Sequence, residues 1–285
     1  MKYSEFYREP VAKIINSIEC RSVEIGLRTC YESFFGLEFK PNTELDPILI
    51  KPLVELTPEE KEFKNEYVKN CLRQKTLPEF SINYNLIKEV AFNKSHKSVL
   101  EHSVFNIWLE MPRNVLHELS RHRIVSPSVK STRYTLNKGI KLYKKYIKDN
   151  KIIDLLNWFL GDCGLVDNDF NMIDFNNFII KMDLCYSKNI KLTPDIVKNF
   201  LPEHWYCCGF YTMNLRELLH MFNLRMPDSV FLPYRKMMYH LYMDLSDDLK
   251  AIVDVSTSEL IRIRDCWDSN IDLEYSPVTG EVNKK

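Results

Sequence analysis

Arg121-His122-Arg123-Ile124-Val125-Ser126-Pro127-Ser128-Val129-Lys130-Ser131-Thr132-Arg133 gathers three guanidinium groups and four hydroxyl side chains without one acid. It lies within a run, 119–148, that holds nine Lys/Arg, one His and no Asp or Glu. Over the 285-residue chain the charges cancel, 39 basic against 39 acidic. The overall balance therefore calls for neither a nucleic acid nor an acidic membrane, and an anion site has to be local. Guanidinium forks give bidentate charge-assisted bonds and hydroxyls satisfy remaining lone pairs, which is what a phosphate monoester requires. The bland alternatives are a solvated basic face, or cations complementing a helix C-terminus at about 0.3–1 kcal/mol each. One arginine would need no more than that. Arg121-His122-Arg123 followed by Arg133 favours a ligand.

Working outward, His102 to Met111 is rich in β-branched and aromatic residues and predicts a strand. Pro112 then starts a helix with Val115, Leu116 and Leu119 on one face, which would carry Arg121 in its last turn and leave Ser126 to Arg133 as a loop. Trp205 to Thr212 reads as a second strand, Asn214 to Arg225 as a helix, and Ser229 to Asp247 as another. Thr57-Pro58-Glu59-Glu60 offers an N-cap, a proline at the first helical position and first-turn acids, opening a helix to about Lys75. Thr193-Pro194-Asp195 repeats that grammar before Ile196 to Phe200. On an ideal helix, Leu215, Leu218, Leu219 and Phe222 share one side and Arg216, His220 and Asn223 another, while Asn214 and Arg225 lie on one line. Taken alone, Arg216 and Arg225 read as solvated or salt-bridged surface residues.

Three ordered segments carry a resemblance. Arg121-His122-Arg123, seven residues and Ser131, continued by Arg133-Tyr134, resembles the RHR-x7-S signature of the flavin-dependent thymidylate synthases. His96-Lys97-Ser98-Val99-Leu100-Glu101-His102 resembles that family's H-x-[ST]-x-x-E-H element, and Asn214-Leu215-Arg216 through Leu224-Arg225 resembles its N-x-R-x7-L-R helix. Arg28-Thr29-Cys30 sits where the family often has Arg-x-Ser. The resemblance covers 84–136 and 194–249. It implies a mixed α/β (α+β) fold, with a central, mostly antiparallel sheet and surrounding helices. That fold would be one domain over 1–250, with insertions near 37–80 and 150–190, and a C-terminal helix and tail over 251–285.

The implied activity is reductive methylation of dUMP to dTMP, with FAD as hydride carrier and with 5,10-methylenetetrahydrofolate and NADPH as co-substrates. By resemblance, Glu118, Arg121, Ser131, Thr132, Arg133 and Lys198 would hold dUMP. Arg225, the catalytic candidate, would stabilise the uracil as negative charge develops, a role suited to a guanidinium that stays protonated. His96, Ser98, Glu101, Arg121, His122, Arg123, Asn214, Arg216 and His220 would contact FAD. A homotetramer with shared active sites is expected. Three positions depart from the family: Val129 where a carboxylate is frequent, His220 where asparagine is frequent, and Val230-Phe231 with Pro233 in place of an AQ-x-E element.

Other features narrow the field. Seven glycines form neither GxGxxG nor GxxxxGK[ST], so side chains must hold any nucleotide. Cys20, Cys30, Cys71, Cys163, Cys185, Cys207, Cys208 and Cys266 form no CxxC pair and read as mostly buried thiols of a cytoplasmic protein. His96 and His102 lack the spacing of a helical ligand pair, and no metal is expected. The N-terminus has no signal-like apolar core and no stretch approaches the ~18 apolar residues of a membrane span. Two rivals stay open: a basic nucleic-acid-binding protein stacking Tyr134, Tyr143 and Tyr146 on bases, and a family member that has lost turnover.

Overall fold

A computed structural model describes residues 8–17, 20–42, 44–165, 167–227, 229–256, 273–275 and 282–284. In chain order its main elements are β1 (Val11–Ser17), α1 (Arg21–Cys30), β2 (Glu38–Phe39), α2 (Pro58–Gln74), β3 (Phe80–Ser81), β4 (Val104–Pro112) and α3 (Arg113–Leu119). They continue with β5 (Val125–Val129), α4 (Thr132–Asp149), α5 (Ile152–Gly161), α6 (Asn168–Ser187), β6 (Tyr206–Asn214), α7 (Leu215–Arg225), α8 (Leu232–Met243) and α9 (Asp247–Ser256). A hairpin of β7 (Leu273–Tyr275) and β8 (Val282–Lys284) follows. Of the C-terminal helix and tail expected over 251–285, residues 251–256 belong to α9 and 273–275 and 282–284 to β7 and β8, and the rest lies outside the described residues.

Strict alternation along β4 makes it a central strand: Phe105, Ile107, Leu109 and Met111 are buried, while the residues between them are half-buried on the opposite face. The sheet order is β1-β4-β6-β5, with every pairing antiparallel. Its buried face packs on Leu215, Leu218 and Phe222 of α7 and on Met237, Met238 and Leu241 of α8 in one core. Each such side chain contributes about 1.5–3 kcal/mol on full burial. The mixed α/β architecture with an antiparallel sheet is thus as expected.

Several boundaries differ. Lys97–His102 forms a 3₁₀ turn, so the strand begins at Val104 rather than His102. Pro112 ends β4, and α3 stops at Leu119, which leaves Arg121 in a turn closed by Arg121 N donating to Glu118 O (3.2 Å). The hydroxyl-rich loop is in part an edge strand: β5 pairs with β6 from Val125↔Met213 to Val129↔Gly209. Edge position is what tolerates Pro127, which has no N–H to give to a ladder. Ser131 opens α4, which already includes Thr132 and Arg133. The helix expected over 229–247 is α8, starting after Phe231 with Pro233 in its first turn and ending at Met243.

The two segments expected as insertions, near 37–80 and 150–190, contribute to cores of their own. Phe34, Leu37, Phe39, Leu49, Val68 and Phe80 cluster around β2, β3 and α2. Thr57 and Glu60 close a reciprocal capping box at the start of α2, as the sequence predicts. Leu136, Tyr143, Phe159, Phe175, Phe178 and Trp205 build a second cluster among α4, α5 and α6. Gly139 permits that packing, since a Cβ there would lie 2.4 Å from the Trp158 ring.

Arg28, aligned with the family's Arg-x-Ser, is a buried structural ion pair. Its Nε donates to Glu24 Oε1 at 2.7 Å and its Nη1 to Ser33 O at 3.0 Å, while Glu24 Oε2 accepts from Asn83 N at 2.7 Å. Removing one partner strands a buried charge at a cost of about 3–5 kcal/mol. Arg28→Ala is therefore expected to lower the thermal midpoint by the equivalent of that range, and an unchanged melting curve would show that the pair is dispensable.

Candidate active site

Arg225 ends α7 and is held from three sides. Its Nη1 donates to Glu118 Oε2 at 2.6 Å, its Nε lies 3.4 Å from His122 Nε2, and its guanidinium carbon stands 4.9 Å from the centre of the Tyr234 ring. The cation–π contact is worth about 0.5–2 kcal/mol depending on desolvation. His122 is buried, and its Nδ1 meets Glu217 Oε1 at 2.8 Å. Burial lowers the His122 pKa; Glu217 opposes that, and Arg225 and His220 add to it. The imidazole is consequently neutral near pH 7 and able to accept at Nε2.

Beside this relay is a cavity of about 450 Å³ lined by Phe92, Leu100, Ile124 and Leu219 and by Lys97, Arg216, Glu217, His220 and Asn223. Arg216, His220 and Asn223 thus share the polar edge expected of α7. Arg216 Nη1 donates to Glu101 Oε1 at 2.6 Å, joining two expected flavin segments. Apolar walls with two cations and a ring nitrogen fit an aromatic, anionic ligand such as a flavin nucleotide. Asn214 serves as N-cap, its Oδ1 accepting from Glu217 N at 2.9 Å. His96 stands apart from the cavity, hydrogen-bonded to Tyr31 Oη at 3.3 Å. Ser98 is exposed.

A second group forms at the far end of β5. Arg133 Nε and Lys198 Nζ both donate to Asp195 Oδ1, at 3.2 and 3.3 Å, near the N-terminus of α4, where Ser131 and Thr132 stand. Arg121 and Arg123 are exposed, and neither makes a side-chain hydrogen bond or ion pair among the described residues. Several cations of the basic run are neutralised by acids outside it: Lys130 by Asp162, Arg133 by Asp195 and Lys145 by Asp154. The run is therefore a partly compensated surface.

The family model described as "Thymidylate synthase complementing protein" matches residues 15–247. Among curated proteins, the flavin-dependent thymidylate synthase of Wolinella succinogenes is 30% identical over 153 residues, 53% of this chain and 71% of that protein. The flavin-dependent thymidylate synthase of Campylobacter jejuni is 33% identical over 172 residues, 59% of this chain and 78% of that protein. The crystal structure of thymidylate synthase X from Helicobacter pylori with FAD and dUMP shares the fold, with a TM-score of 0.58 and 20% identity over 87% of this chain and 98% of that chain. The chain belongs to the flavin-dependent thymidylate synthase family.

Members of this family are methyltransferase enzymes, and the site described above is its candidate seat here. Sequence reading missed three of its residues: Lys97, between the expected His96 and Ser98, lines the cavity, and Glu217 and Tyr234 support Arg225. Glu217 follows the Asn214 cap in an Asn-x-x-Glu order that signals only a capping box. Tyr234 carries no local signal beyond its place in a buried helix. His122, Glu217 and His220 bring ligand atoms within 4.8 Å of one another, a set the sequence did not suggest. Arg225 already occupies the adjacent His122 nitrogen and its charge opposes a cation there, so a hydrogen-bonded relay accounts for the cluster. Among the described residues no helix is long and apolar enough to cross a membrane.

Asn214→Ala removes the side-chain acceptor for Glu217 N, and such caps are worth about 0.5–2 kcal/mol. The variant is expected to lose that much stability in denaturant unfolding; no change in midpoint would show the cap to be redundant.

Proposed function

We propose that this protein converts dUMP to dTMP, taking the carbon from 5,10-methylenetetrahydrofolate and the electrons from NADPH, with FAD as the resident cofactor. The Arg225 guanidinium pinned by Glu118 and by His122, whose partner Glu217 lines the cavity, in a chain of this family, is the observation that carries the reading. Once reduced by NADPH, the bound flavin would supply the hydride, so the folate would leave as tetrahydrofolate without being oxidised.

Lys97, Arg216 and His220 line the cavity and would hold the cofactor against its apolar wall. Asn214 caps the helix that presents Arg216 and His220, while His96, Ser98, Glu101, Arg121, His122 and Arg123 are assigned to FAD on the family pattern. Arg121, Ser131, Thr132, Arg133 and Lys198 would bind the dUMP phosphate. Arg225 would stabilise negative charge at uracil N3 and its flanking carbonyl, and Glu118 acts on the substrate through Arg225. A guanidinium fixed before reaction spends no energy on reorganisation as charge develops. No protein thiolate is needed: burial pushes the Cys207 and Cys163 thiols up to about 12.

The expected homotetramer with shared sites is supported by the spacing of the two groups. The five residues of β5 separate the His122 turn from the Ser131–Arg133 turn, and an extended strand of that length spans about 15 Å. One small nucleotide cannot easily reach both groups within a protomer, which supports a second copy supplying the phosphate-binding side.

The test is the visible spectrum of the purified protein, followed by anaerobic NADPH reduction with and without dUMP. A yellow protein whose flavin is reduced by NADPH and responds to dUMP is expected; colourless protein that takes up no added FAD would overturn the proposal. Arg225→Ala should cut dTMP formation by about 10²–10³ while keeping its flavin, the loss typical of removing a charge-stabilising donor. Arg121→Ala should weaken dUMP binding, and an unchanged affinity would remove Arg121 from the phosphate site.

A further inference from the structure

Glu217 combines burial, charge and a single purpose. Its carboxylate is turned away from the Asn214 cap toward His122, and the two side chains are only 7% and 3% exposed. A buried carboxylate is costly unless it is hydrogen-bonded, so its orientation is tightly specified. The contact with Arg225 shows which nitrogen of the His122 ring carries the proton. Nε–H of arginine donates and cannot accept, and it faces His122 Nε2 at 3.4 Å. Nε2 must then be the acceptor, and the proton sits on Nδ1, aimed at the Glu217 carboxylate.

We propose that Glu217 is a positioning residue for Arg225: by holding the proton on His122 Nδ1 it keeps Nε2 open to receive Arg225 Nε. This role stands on Arg225 facing the uracil as proposed above. The guanidinium is then fixed at two edges, by His122 at Nε and by Glu118 at Nη1. Without the carboxylate the ring can take the other tautomer, and Nε2–H would oppose Nε–H, donor against donor. Arg225 would lose one of its two hydrogen-bonded supports while keeping its charge. Both His122 ring nitrogens are committed within the chain, so any contact of this side chain with a cofactor is through its ring carbons.

The same geometry sets a pH response. The ionisable groups facing His122 are Glu217, His220 and Arg225 on α7, with Glu118 on α3 reached through Arg225. Protonation of Nε2 in acid would break the bond to Arg225, so turnover falls as pH drops through the His122 pKa. Glu217 raises that pKa against burial. Removing its charge moves the acid limb to lower pH.

The experiment is dTMP formation from acid to alkaline pH by flavin-loaded wild type, Glu217→Ala and Glu217→Gln, with melting temperature and flavin content measured for each. Glu217→Ala should lose about 10- to 100-fold in kcat, the usual cost of removing a residue that orients a functional histidine, with little change in KM for dUMP. Glu217→Gln retains an oxygen that accepts from Nδ1–H and should recover most of the rate with its acid limb displaced to lower pH. Wild-type kcat in Glu217→Ala, or a Gln variant as impaired as Ala with an unmoved acid limb, would overturn the proposal. Wild type that forms no dTMP would overturn the reaction assigned above instead. The His122 tautomer by ¹⁵N NMR then judges the positioning alone: Nδ1–H in wild type that is lost in Glu217→Ala supports it, and an unchanged tautomer refutes it.

Discussion

β4 and β6 pair in unbroken antiparallel register from Val104↔Asn214 to Pro112↔Tyr206, and the placement of every candidate site residue follows from that ladder. Because the start of β4 meets the end of β6, the 96–102 turn and the first turn of α7 come to the same edge of the sheet. The Glu101–Arg216 pair is the direct result. The polypeptide then leaves β4 at the opposite edge, and α3 carries it back about 10 Å at 1.5 Å per residue. This return sets His122 beside Glu217. β5 next runs out again along β6, so the hydroxyls and Arg133 end at the far edge with Lys198. Two groups of site residues, one at each end of the same edge strand, are therefore a consequence of topology.

Much of this was legible in the sequence because the decisive signals are local. Asn214 as a cap, the amphipathic split of α7 and the alternation of β4 each depend on residues within one or two turns of one another. β5 was not legible for the opposite reason. Ser126, Pro127 and Ser128 have turn chemistry, and only the ladder to 209–213, some eighty residues on, makes them a strand. Non-local pairing overrides local propensity most readily at an edge, where one side of the strand stays in water. Glu217 was hidden differently: its position matched a capping box, a local use for a carboxylate, while its true partner comes from another element.

Fixing a guanidinium is energetically demanding, since the side chain gives up rotamer freedom worth about 1.5–2 kcal/mol. Arg225 offsets this with an ion pair to Glu118 that is partly shielded from water, the side chains being 17% and 30% exposed. Such a pair is stronger than a surface one and weaker than a fully buried one, because each charge keeps some solvent. The contact with His122 adds direction rather than charge, and Tyr234 limits movement out of the plane. Together they hold the group in place before any ligand arrives.

The three departures from the family pattern can be separated on the same grounds. Phe231 caps the start of α8, where its carbonyl accepts from Tyr234 N at 2.9 Å, so the residues at this stretch seat Tyr234 against Arg225. Val129 closes β5 against the core, and its neighbour Lys130 pairs with Asp162 at 2.6 Å, tying the strand to the end of α5. Both changes have a packing role that leaves the relay intact. His220 is different, because it lines the cavity and its ring lies 5.9 Å from that of His122. A histidine there opposes a positive charge on the neighbouring His122 imidazole. Of the three, it is the substitution that bears on electrostatics at the cavity rather than on the scaffold that shapes it.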